Sequence, residues 1–294
     1  GLRGVGRLAA GELEQAAVSA ERAIENNPEP VDALLLRGQI SIQTNNPRGA
    51  LSRAQAILRI IPDHVEAIVL LSKALEALDR PVEALVALEK ALSLSANPLS
   101  MQIERVHLVR RTRGLEAGVA ALQELVAQNP QQPRLMALLA EWLSEAGRPE
   151  AALQAARLAI QEEHGELSEE QRARLHLLIG LRMRSAGQLD QAIYHLSQAV
   201  EHAPAELEAY LELGRAYQER REYRQALKTY QRAMAVANGD YRPYYQAGLV
   251  LKDSKDYAAA EAMLRRASQL APAEVSVHRL LGAVVALNLI HNRR

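Results

Sequence analysis

The chain has 294 residues, 48% of them hydrophobic and 24% charged, with 35 basic against 35 acidic side chains and neither cysteine nor phenylalanine. That balance excludes a disordered or fibrous chain, a disulfide framework or thiolate chemistry, and a polybasic surface for nucleic acid or membrane. The longest apolar run, Leu280 to Ile290, is 11 residues and is interrupted by Asn288, too short to span a bilayer.

Prolines at 28, 62, 130, 204 and 272 lie one or two 34-residue periods apart, except that 130 to 204 is longer by six. Placing them at slot 32 of a repeating unit puts a small residue at slot 20 throughout: Ala16, Ala50, Ala84, Gly118, Ala152, Ala192, Ala226 and Ala260. Slot 8 carries Gly4, Gly38, Ser72, Val106, Ala140, Gly180, Gly214 and Gly248, continued by Gly282. Such a period marks a repeat architecture, in which each unit buries its apolar face only against its neighbours.

In chain order, residues 1–166 hold units one to five, the first truncated at its start. Residues 167–172 are an insertion, 173–274 hold units six to eight, and 275–294 form a C-terminal capping helix or the start of a ninth unit. Slots 1–14 and 18–31 of each unit carry apolar residues at three- and four-residue spacing, which predicts two amphipathic helices per unit. In the seventh unit Tyr210, Leu213, Gly214 and Tyr217 line one face of the first helix, and Ala226, Leu227, Tyr230 and Ala233 line one of the second. Gly11, Asn45, Gly147 and Gly187 at slot 15 suit a left-handed turn between them, and the slot 32 proline ends the second helix. Within the insertion, Ser168 and Gln171 have capping-box spacing, so the sixth unit is expected to open with a lengthened helix. The insertion reads either as a surface loop variation or as a change of pitch. The fourth unit, with Gln102, Val106 and Gly118 at slots 4, 8 and 20, has the least regular packing.

The stretch AYLELGRAYQERREYRQALKTYQRAMAVAN, Ala209 to Asn238, matches almost every slot of a 34-residue signature: Leu-Gly at slots 7 and 8, Tyr at 11, Ala at 20, an aromatic at 24 and Ala at 27. The whole chain resembles the tetratricopeptide repeat (TPR) family, with about eight tandem repeats. The resemblance implies an all-α fold, one continuous right-handed α-solenoid of antiparallel helix pairs. It also implies that first-helix slots 2, 5, 6, 9, 12 and 13 line a concave groove that binds a peptide or protein segment.

On those slots the candidate partner-binding residues are Leu35, Gln39, Lys73, His107, Arg110, Arg111, Arg134, Glu141, Arg174, Leu177, Leu181, Arg184, Arg215, Arg242 and Tyr245. The arginines of units four to six place guanidinium forks along the groove, suited to carboxylates on a peptide. The alternative is that they pair with Glu104, Glu141 and Glu145 of neighbouring helices. The chaperone-binding members' carboxylate clamp has no counterpart, since slot 9 never holds asparagine and slot 5 never holds lysine. The asparagine ladder of glycosyltransferase-linked members is absent too, because slot 6 reads Leu36, Leu70, Glu104, Leu138, Leu178, Glu212 and Gln246.

Enzyme signatures are lacking. Gly1, Gly4 and Gly6 have the wrong order for a phosphate loop, and no histidine pair has metal-site spacing: His176 and His278 fill slot 4, His164 replaces a slot 32 proline, and His195 and His202 lie seven apart. The expectation is therefore a non-enzymatic scaffold with no cofactor, no metal and no nucleic acid. A substrate-recruiting or regulatory region of a larger multidomain enzyme is the alternative. The expected location is the cytoplasm, with the alternative that a targeting segment preceded Gly1 in a longer chain. The apolar Leu287, Leu289 and Ile290 suggest a piece of a longer protein and weak self-association through the C-terminal end.

Overall fold

The structure, a computed structural model, describes residues 31–96, 98–161 and 167–291. The expectations for the first unit, among them Gly4 and Ala16, and for His164 lie outside these residues. Among the described residues there are fifteen α-helices and no strand, so the all-α expectation holds. Residues 1–129 and 130–294 form two compact units, and their boundary falls one repeat before the insertion.

The first unit contains α1 (Val31–Gln43), α2 (Pro47–Ile60), α3 (Val65–Ala77), α4 (Pro81–Leu94), α5 (Leu99–Arg113) and α6 (Leu115–Gln128). The second contains α7 (Pro133–Glu145), α8 (Pro149–Gln161), α9 (Glu169–Ser185), α10 (Leu189–His202), α11 (Leu207–Glu219), α12 (Tyr223–Val236), α13 (Arg242–Asp253), α14 (Tyr257–Leu270) and α15 (Val275–His291). Within each unit every helix packs on the next. First helices of adjacent repeats also touch: α1 meets α3, and α7, α9, α11 and α13 meet in series.

Local chemistry sets the helix limits. Pro62, Pro130, Pro204 and Pro272 each stand two residues beyond a helix end, at Ile60, Gln128, His202 and Leu270, because a proline ring disfavours helical backbone in the residue before it. Pro47, Pro81, Pro133 and Pro149 instead open helices, where the missing N–H would have had no partner in any case. The expected lengthened helix is α9, of 17 residues, whose start carries a complete capping box between Ser168 and Gln171.

Between the two helices of a repeat, slot 15 is left-handed whatever its side chain. Asn45, Asp79, Arg221 and Lys255 have φ of 56°, 59°, 64° and 68°, beside Gly147 and Gly187 at 69° and 73°. In the fourth repeat α5 runs longer and the role passes to Gly114, at 89°. The turn geometry is therefore dictated by packing of the helix pair, and residues that bear a Cβ tolerate it at a conformational cost.

The core runs along the helix interfaces. Slot 20 alanines 50, 84, 152, 192, 226 and 260 are fully buried, as are Ile57, Ala91, Ala159, Ala233 and Ala267 at slot 27. At two slot 8 glycines, 214 and 248, the absence of a side chain is what permits the close approach of the second helix. A Cβ on Gly214 would lie 2.3 Å from Cε1 of Tyr230, and one on Gly248 2.7 Å from Cγ of Leu264. Trp142 is buried, 3% exposed, on α7. The irregular fourth repeat packs well: Val106, Val119 and Leu122 are fully buried, and Gly118 admits the Cβ of Arg110, 2.5 Å from where its own would stand.

Candidate partner-binding face

The slots assigned to partner binding fall on the first helices, and their dominant feature is ion pairing from one repeat to the next. In the first unit Lys73 on α3 reaches Glu104 on α5 at 3.1 Å. Arg111, at the end of α5, contacts Asp79 at 2.7 Å and Glu76 at 3.6 Å. In the second unit Arg174 on α9 meets Glu141 on α7 at 3.5 Å, and Arg242 on α13 meets Glu208 on α11 at 3.2 Å and Asp240 at 2.8 Å.

The densest cluster joins α9 and α11. Arg184 contacts Glu212 at 2.9 Å and Glu219 at 2.6 Å, while Arg215 also binds the Glu212 carboxylate. The Glu212 side chain is only 4% exposed, so two cations hold one buried anion. Apart from the local Arg215–Glu212 and Arg242–Asp240 contacts, these pairs join residues of adjacent repeats, because stacking brings the inner faces of neighbouring first helices together. Exposed members contribute little individually; the Arg184–Glu212–Arg215 group is buried enough for charge compensation to matter.

The arginine forks expected to await a partner's carboxylate are thus engaged at Arg111, Arg174 and Arg184 by carboxylates of the chain itself. Glu141 is the partner foreseen for one of them. The acids Glu76, Glu208, Glu212 and Glu219 were not among the candidates, although a readable signal existed: each lies on an inner slot of a repeat whose neighbour carries an arginine on another inner slot. Arg110, Arg134 and Glu145 are also engaged. His107 is held below the ordinary imidazole pKa by desolvation and then by the Arg110 guanidinium.

The apolar candidates divide. Leu35 packs against the cluster of Ala50, Ala54, Leu70 and Ala74, and Tyr245 against that of Ala260, Leu264 and Val284; both are partly core. Leu177 and Leu181 on α9 are half-buried, and Gln39 on α1 is exposed. The faces thus alternate half-covered leucine with internally neutralised charge.

One convergence was not legible from spacing. His176 on α9 meets His195 and His202 on α10: Nδ1 of His176 is 3.1 Å from Nδ1 of His195, and the rings of His176 and His202 are 5.6 Å apart. His202 is tied to Glu169 at 2.6 Å. Burial, and then the charges of His195, His202 and Arg172, lower His176 to about 4. His195 is lowered by burial and by Arg157. Among the described residues no group of three or more His, Cys, Asp or Glu could hold a metal ion. No helix among them is long and apolar enough to cross a membrane.

Family models described as tetratricopeptide repeat match residues 2–64 and 104–165, 183–250, and 241–274. No curated protein matches the chain. Among solved structures, the C-terminal part of a TPR repeat-containing protein from Cytophaga hutchinsonii is 13% identical, with a TM-score of 0.68 over 84% of this chain and 99% of that one. A tetratricopeptide repeat protein from Parabacteroides merdae is 14% identical, TM-score 0.54, over 87% and 98%. Pseudomonas aeruginosa PilF is 17% identical, TM-score 0.57, over 74% and 97%. At such identities the structural likeness speaks for the fold alone. With the repeat models matching along its length and helix pairs stacked at the period its prolines set, the chain belongs to the tetratricopeptide repeat family.

Proposed function

We propose that the chain is a protein–protein interaction scaffold that binds a peptide or protein segment along the inner faces of its first helices, without chemistry of its own. The observation that carries this reading is the face of α7, α9, α11 and α13. These helices touch in series, and half-buried leucines alternate there with ion pairs that leave little net charge. Such a surface suits an extended segment that buries apolar side chains and takes over or bridges existing pairs, at modest electrostatic gain. The arginines then act through exchange of partners, and capture of a carboxylate must compete with Glu212 or Glu219.

Affinity capture from the source organism's lysate tests the proposal. A Leu178→Glu/Leu181→Glu variant should keep its helicity and lose the captured partners, whereas Arg224→Glu/Lys228→Glu, on the exposed side of α12, should retain them. Equal capture by all three proteins would refute it. A second reading, weak self-association through α15, is supported by the exposure of Leu289 and Ile290, 57% and 56%. Sedimentation of Leu289→Glu/Ile290→Glu should then show less association than the parent, and a parent monomeric at every concentration would remove the idea.

A further inference from the structure

Along the inner faces charge is largely compensated within the chain, and one recess departs from that rule. A cavity of about 320 Å³ opens where α9, the C-terminal end of α10 and the start of α11 meet, lined by Leu177 and five alanines, among them Ala199 and Ala209. Of these alanines Ala205 is exposed and stands at the rim, which also carries Glu170, Arg174 and Glu206. Arg174 is already engaged by Glu141. Glu170 and Glu206 are exposed and make no ion pair among the described residues. The mouth of an apolar recess is therefore left with uncompensated negative charge.

The insertion builds this site. By starting α9 early with the Ser168–Gln171 capping box, it puts Glu170 on helical backbone. The neighbouring Glu169 fastens that extra turn to His202 on α10 at 2.6 Å. Alanine is the smallest side chain that still presents a methyl group, so a floor of alanines leaves room for branched carbon, at the lower end of the volume range of ligand pockets. Burying one aliphatic side chain there removes apolar surface from water and is favourable before ordering costs. A cation beside it is attracted by the rim carboxylates, while an anion is repelled.

We propose that this recess is a specificity pocket, taking a branched aliphatic side chain of the partner whose immediate sequence neighbour is lysine or arginine, with that cation at the Glu170 and Glu206 carboxylates. The proposal rests on the reading of the first-helix face as a protein-binding surface, and it assigns the insertion a part in recognition.

Selection of a phage-displayed random dodecapeptide library on the whole chain tests it, followed by fluorescence anisotropy with the enriched peptides. Glu170→Gln/Glu206→Gln removes the charge at constant shape, Ala205→Leu fills the recess from its exposed rim, and Leu181→Glu disturbs the same face outside it. Enrichment of Val, Leu or Ile next to Lys or Arg, with affinity falling at least tenfold in each of the first two variants at unchanged circular dichroism, is the expected result. Peptides that lack the pair, or keep their affinity in both pocket variants and lose it only in Leu181→Glu, would overturn the pocket and leave the binding face standing. Failure to enrich any peptide, or indifference to all three variants, would overturn both.

Discussion

Replacing Glu212 by glutamine is the sharpest probe of the ion-pair network. The glutamine fits the same space but removes the anion that Arg184 contacts at 2.9 Å and that Arg215 also holds. The Glu212 side chain is 4% exposed, and its cations are 23% and 35% exposed. Stranding a charge by deleting its buried partner costs about 3–5 kcal/mol. Here Arg184 keeps Glu219 at 2.6 Å, and solvent reaches Arg215, so a loss of about 2–3 kcal/mol is expected. The exposed counterpart, Lys73–Glu104, has side chains 46% and 38% accessible, and Lys73→Gln should cost under about 1 kcal/mol. Urea unfolding followed at 222 nm gives the midpoints. Because stability in a repeat array is local, hydrogen exchange should show the loss concentrated in α9 and α11. A cycle with Arg184→Met should give a coupling on the order of 1–3 kcal/mol. A Glu212→Gln loss below about 0.5 kcal/mol, additive with Arg184→Met, would refute the claim that these groups are a coupled, buried unit.

Three other outcomes follow from the geometry. His176 binds a proton in the unfolded chain near 6.5 but in the folded chain only at about 4. Its contribution is therefore intact above pH 6.5 and lost as the pH falls from 6.5 towards 4, by at most about 3 kcal/mol, with His195 adding in the same direction; urea midpoints that do not change between pH 7.5 and 5 would contradict this. Gly214→Ala sets a methyl 2.3 Å from the fully buried Tyr230 ring, so overpacking of about 1–3 kcal/mol should outweigh the roughly 1 kcal/mol gained in helix propensity. Gly282→Ala meets nothing within 4 Å and should stabilise by about 0.5–1 kcal/mol, so thermal melts of the two variants should move in opposite directions. Arg221→Gly and Lys255→Gly, at φ of 64° and 68°, should each raise stability by about 0.5–1 kcal/mol, and a lowered melting temperature would count against left-handed strain there.

The chain's periodicity determined a great deal by itself. Helix pairs, their ends and the slots that must stay small were all readable, because proline geometry and the close approach of two helices act through residues near in sequence. The fully buried alanines at slot 20 and the glycines at slot 8 stand where the 34-residue register puts them. The capping box at Ser168 was equally legible, since both of its hydrogen bonds span three residues.

Contacts between repeats were another matter. A charged residue on an inner slot looks the same whether it waits for a partner or faces a carboxylate on the neighbouring helix. Only the stacking of α9 against α11 decided that Arg184 is held by Glu212 and Glu219, and only the packing of α9 on α10 gathered His176, His195 and His202. Slot 15 makes the same distinction. Its glycines announced a left-handed turn in some repeats, but Asp79, Arg221 and Lys255 adopt it because the helix pair leaves the chain no other path. Sequence specifies the repeat through local backbone preference and apolar spacing; which charges are neutralised and which recess stays open depends on side chains about 34 residues apart, which meet only once the repeats are stacked.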